Sequence, residues 1–117
     1  MSFLAAVAGA MKRSAGIALS ALFSSITDAS GGGPTAGNTV TLTMASGKTV
    51  TVTHSLGGTL RYKKNAGAFT SCPSGTTIAV VNSDTLQFDY ASGGGEAGTV
   101  TLSVSGASFA SFLCTGT

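Results

Sequence analysis

A chain of 117 residues makes one domain, since a domain typically holds roughly 100–150 residues. Six Lys/Arg and four Asp/Glu give a net charge of +2 and a charged fraction of 9%, well below the ~25% usual in soluble domains. With 43% hydrophobic residues, that balance excludes a highly charged disordered segment. It also excludes the broad basic face with which duplex-binding proteins neutralise phosphates. Gly, Thr and Ser number 17, 17 and 16, so hydroxyls and glycine backbone dominate the surface. Such a surface suits a chain packed against other subunits.

Residues 2–27 contain no Pro and no acid before Asp28, and Gly9 and Gly16 are their breakers. Leu4, Ala8, Met11, Ala15, Leu19, Leu22 and Ile26 recur at steps of three or four, flanked by Phe3 and Val7, which predicts a helix. Ser2 is its candidate N-cap, and the glycines at 31–33 followed by Pro34 end the pattern. The expectation is therefore an α-helical arm over residues 1–29, apolar nearly all round and in need of burial.

Four destinations compete for that arm. A membrane span needs about 20 apolar residues, and the uncharged run over 14–26 is too short. A secretory signal would read Lys12-Arg13 as its charged region and 15–23 as its apolar one. Against this, a largely apolar stretch precedes the two cations, and no small-x-small cleavage triplet follows. The helix could also fold back on its own β domain. The favoured expectation is a retained assembly arm, with Leu4, Val7, Met11, Leu19, Leu22 and Ile26 as its interface. Each such side chain stabilises by roughly 1.5–3 kcal/mol when buried, so a homo-oligomer follows.

Residues 30–38, Ser-Gly-Gly-Gly-Pro-Thr-Ala-Gly-Asn, read as a linker. From residue 39 to 117 the period changes to two. Val40, Leu42 and Met44 alternate with threonines, as do Val50 and Val52, and Ala45-Ser46-Gly47-Lys48 reads as a hairpin turn between them. Leu60 and Tyr62, 78–81, then Leu86, Phe88 and Tyr90 follow, and Val100, Leu102 and Val104 precede a last strand over 109–114. Seven or eight short strands at this spacing predict an antiparallel β-sandwich or small barrel. The fold expected is mainly β, one sandwich behind a helical arm.

Chemistry-bearing residues are few. His54 is the single histidine and has no Ser-His-Asp neighbourhood. Four carboxylates offer no motif, and neither glycine run continues as a phosphate loop. Cys72 and Cys114 lack a partner at metal-ligand spacing. They could bond, closing a loop worth roughly 4 kcal/mol, or lie buried as separate small hydrophobes. Arg61, Lys63 and Lys64 cluster around Tyr62, which reads as a solvated strand end. Phe69, Phe88, Phe109 and Phe112 read as core. No catalytic residue, metal or cofactor is expected, nor a nucleic-acid partner or small-molecule substrate.

Three pieces carry a resemblance: Asn65-Ala66-Gly67-Ala68-Phe69-Thr70, Asn82-Ser83-Asp84-Thr85-Leu86-Gln87-Phe88 and Gly98-Thr99-Val100-Thr101-Leu102-Ser103-Val104. Together they resemble a small immunoglobulin-like β-sandwich of tailed-bacteriophage virion proteins, with Phe69 where Trp is frequent and Ser83 where Gly is. The resemblance implies a non-enzymatic structural protein in the virion: capsid decoration, head fibre, or collar and tail component. Its partners would be copies of itself and other virion proteins, capsid, portal or tail. Such modules also occur in bacterial surface proteins. The alternative is thus an exported adhesin or carbohydrate-binding module whose first 29 residues are removed. A membrane-active helix with a β cap is a third reading.

Overall fold

The computed structural model describes residues 13–28, 33–94 and 96–116. They form strands β1 (Arg13–Ser14), β2 (Ile17–Leu19), β3 (Ile26–Asp28), β4 (Thr35–Ala36), β5 (Val40–Thr43) and β6 (Lys48–Thr53). The remainder are β7 (Thr59–Lys64), β8 (Thr70–Ser71), β9 (Thr76–Val80), β10 (Thr85–Ala91), β11 (Ala97–Val104) and β12 (Ala107–Gly116). One sheet runs β1-β2-β5-β10-β7-β8, with β4 also on β10. The second runs β3-β12-β11-β6-β9. The β3–β12 pair is parallel and the others antiparallel. The chain is mainly β in two sheets, as its period-two body predicts.

The helical arm is corrected. Residues 13–28 form strands, and there is no helix among the described residues. Ser14 and Ile17 pair across a two-residue turn in which Ala15 and Gly16 have φ of 54° and 79°. Two successive positive φ values match the twist of a tight hairpin. The next strand, β2, pairs with β5, and β3 pairs with the last strand. Tertiary pairing thus overrides the helical propensity of an Ala- and Leu-rich segment. Of the expected interface, Leu4, Val7 and Met11 lie outside the described residues. Leu19 and Ile26 are buried in the core, whereas Leu22 is 77% exposed.

The core lies between the sheets. Ile17, Leu42, Leu86, Phe88 and Tyr90 face inward from the first, and Val50, Val52, Val100, Leu102 and Phe112 from the second. Phe23, on the connection between β2 and β3, packs its ring 5.5 Å from Phe88 and 5.8 Å from Phe112. Those two rings are 5.1 Å apart. One aromatic from each sheet therefore meets a third from the segment read as an arm. Asn38, in the expected linker, secures that segment: Ser24 N–H donates to its side-chain oxygen at 2.8 Å, and its amide donates to Leu22 O at 2.9 Å.

The expected hairpin over 45–48 is also corrected. It joins β5 in one sheet to β6 in the other, and Gly47 is not among the residues of positive φ. A tight hairpin does occur at Ser105-Gly106, with φ of 51° and 84° between paired Val104 and Ala107.

Candidate functional site

Three places bring chemistry-bearing side chains together. The first surrounds His54 and Cys72. His54 Nε2 lies 2.8 Å from Cys72 O, and Leu56 N–H donates to Nδ1 at 3.2 Å. Both ring nitrogens are therefore occupied by backbone partners. The adjoining hollow, lined by His54, Gly58, Thr59, Leu60 and Cys72, has a volume near 140 Å³, below the ~300 Å³ at which small-molecule sites begin. Cys72 and Cys114 are both free and buried. Burial pushes their thiols up to about 11 and about 12, so neither is a ready thiolate nucleophile.

The second place closes one end of the molecule. Asp28 accepts Thr35 Oγ1–H at 2.6 Å and Ser92 N–H at 2.7 Å. Tyr90 Oη–H donates to Glu96, whose carboxylate also accepts Gly93 N–H at 2.8 Å. The Ser92 backbone bond and then the Thr35 hydroxyl hold Asp28 below its ordinary value, and the Tyr90 and Gly93 bonds do the same for Glu96. Burial first, then the bond to Glu96, pushes Tyr90 up to about 12. Every buried side-chain nitrogen and oxygen among the described residues has a partner. These groups hold backbone in place and offer no unpaired acid or base.

The third place is the outer face of the first sheet. Because Leu86, Phe88 and Tyr90 of β10 point inward, Thr85, Gln87 and Asp89 point outward. Register sets Lys63 beside Gln87, Arg61 beside Asp89, and Ser71 beside Arg61. Arg61 donates Nε–H to Asp89 at 2.9 Å and Nη2–H at 2.5 Å, a two-pronged pair over a carboxylate only 5% exposed. The bond to Asp89 raises the Arg61 guanidinium above its usual value. Half-buried Phe69 lies against two cations: Arg61 Cζ and Lys63 Nζ are each 5.3 Å from its ring centroid. Both contacts lie within cation–π range.

This arrangement differs from the expected one in two ways. Phe88, Phe109 and Phe112 are core or packed on it, as read, but Phe69 belongs to the outer face. The Arg61-Lys63-Lys64 cluster also divides. Lys64 turns away and donates to Ala79 O of β9 at 2.9 Å, tying the two sheets together. Period two in β7 accounts for that split, because residues 61 and 63 share a face and 64 does not. The pairing with Phe69 depends on the turn over 65–69, and no local pattern announces it.

The turns behind the phage resemblance are structural. Asn65 Nδ2–H donates to Asp84 at 3.0 Å, Thr85 N–H donates to Asn65 at 2.9 Å, and Val81 N–H donates to Asp84 at 2.9 Å. The Asn65 bond first, and then the Val81 one, hold Asp84 below its ordinary value. Such Asx geometry recurs wherever a tight turn enters a strand, so it carries little family information.

Comparison with known families decides between the sequence readings. The family model described as the NlpE C-terminal OB domain matches residues 49–111, from β6 into β12 and over half of the chain. No curated protein matches the chain closely enough to stand as a relative. The match overturns the resemblance to a phage immunoglobulin-like module, and with it the virion location and the role in capsid, collar or tail. The chain belongs to the NlpE C-terminal OB domain family.

Proposed function

We propose that this chain is a non-enzymatic binding domain of a bacterial envelope or surface protein. The family match over residues 49–111 carries the reading, because NlpE is a bacterial envelope lipoprotein. It favours the exported bacterial module over the virion protein. The chemistry supports binding rather than catalysis. Both His54 nitrogens are engaged, both thiols are buried, and Asp28, Asp84, Asp89 and Glu96 are all spent on structural hydrogen bonds. A general acid or base needs a free proton site within reach of substrate.

The packing refines one part of that alternative. Removing the first 29 residues would take Ile17, Leu19, Phe23 and Ile26 out of the core. Any leader that is removed therefore ends ahead of β2. Immunoblotting of fractionated producer cells tests the proposal. Recovery with the envelope or outside the cell is expected, and recovery in the cytosol would overturn it.

A further inference from the structure

The outer face of β7, β8 and β10 is built differently from the rest of the surface. Its centre holds an aromatic ring that is absent from the core cluster and is set against two cations. One of these, Arg61, is already neutralised by Asp89. Lys63 has no carboxylate within ion-pair distance among the described residues, so the patch presents one uncompensated positive charge beside one partly open ring. Around it lie Ser71, Gln87 and Thr85 on the same face, with Thr41 continuing the row across β5. The cations fix the ring against the sheet, so little side-chain freedom remains to be lost on binding.

We infer that this face binds an acidic polysaccharide, with the Phe69 ring stacking on a sugar and Lys63 pairing with its carboxylate. The inference rests on the proposed binding role and names its ligand class. A hexuronate unit joins an apolar C–H face to a single carboxylate, which matches one ring beside one available cation. Its remaining hydroxyls meet the Ser71 hydroxyl and the Gln87 side-chain oxygen, the Gln87 amide N–H being donated to Gly37 O at 2.8 Å. Nucleic acid fits less well, because a strand presents a phosphate on every nucleotide and binding grooves answer with several cations. Arg61 is a positioning residue in this account, packed 5.3 Å from the Phe69 ring centroid while Asp89 consumes its charge.

Affinity electrophoresis of the full chain tests this, in gels containing polygalacturonate, neutral dextran or single-stranded oligo-dT. Retardation by polygalacturonate alone is expected, weakening as salt rises. Phe69→Ala should reduce the affinity about tenfold, equivalent to one aromatic contact. Lys63→Gln should weaken binding and flatten its salt dependence. If Phe69→Ala melts early, Phe69→Leu removes the ring while keeping apolar bulk, and the same loss is expected. No retardation, equal retardation by dextran, preference for oligo-dT, or unchanged binding by the variants would each overturn the inference. An envelope-located protein that ignores polygalacturonate would sink this site and leave the proposed role standing. A cytosolic protein would overturn that role whatever the gels show.

Discussion

Asp28 accepts the Ser92 backbone N–H at 2.7 Å, so an edge residue of the second sheet anchors the loop leaving the central strand of the first. Thr35 completes the contact at 2.6 Å. Asp28→Ala would leave the Ser92 N–H without its acceptor at a site only 3% exposed. Thermal melting followed by circular dichroism should show a clear loss of stability. Asp28→Asn, which keeps one acceptor oxygen, should lose less.

Acid should destabilise the fold over a defined window. Asp28, Asp84 and Glu96 are all held below their ordinary values. Their contribution is complete above about pH 4.5, where the unfolded carboxylates are also ionised, and is lost as pH falls through the lower folded values. The alkaline side has the opposite sign. Cys72, Cys114 and Tyr90 are raised to about 11, 12 and 12. Their contribution is complete below about pH 8.5 and lost as pH climbs through the folded values. Melting temperature against pH should therefore be flat between about 5 and 8 and fall on both sides.

Phe23 separates a core segment from an exposed arm. Its ring is 7% exposed and packed against Phe88 and Phe112, so Phe23→Ala should cost about 3–5 kcal/mol in denaturant unfolding. Leu22→Ala, one residue away on an exposed side chain, should change stability by about 0.5 kcal/mol or less.

The pair Arg61–Asp89 predicts an asymmetry. Arg61→Met strands a buried carboxylate, whereas Asp89→Asn leaves a guanidinium that is 36% exposed and able to reach water. Removing the partner of the more deeply buried charge costs more. Arg61→Met should therefore lower the melting temperature further than Asp89→Asn.

Thiol reactivity gives a fifth check. Cys72 and Cys114 are free, fully buried and shifted upward. Neither should react with iodoacetamide at neutral pH in the native protein. Both should be alkylated in denaturant.

Legibility in the sequence followed strand length. The alternations at Val40 to Leu42, Val50 to Val52, Leu86 to Tyr90 and Val100 to Leu102 correspond to β5, β6, β10 and β11, each long enough to show its period. Strands of two or three residues, β1 to β4, carry one buried pair at most. Within 13–28 the pairs Ile17/Leu19 and Ile26/Asp28 were masked by coincidental helical spacing. Leu22 continues that spacing although its side chain is exposed. Sheet membership was not legible either, since a short Gly-containing turn serves a hairpin or a crossover equally well. At the candidate site the two cations could be placed on one face from β7 alone, but Phe69 arrives there through tertiary folding.

Amide hydrogen exchange measured by NMR tests the central claim, that residues 17–28 are part of the β domain. Ser20 N–H donates to Thr41 O at 3.0 Å, and Gly37 N–H donates to Phe88 O at 2.8 Å. The account predicts that Ser20, and those amides of β3 that bond to β12, are protected to a degree comparable with those of β10. Exchange of Ser20 and β3 at free-peptide rates, with β10 still protected, would contradict it.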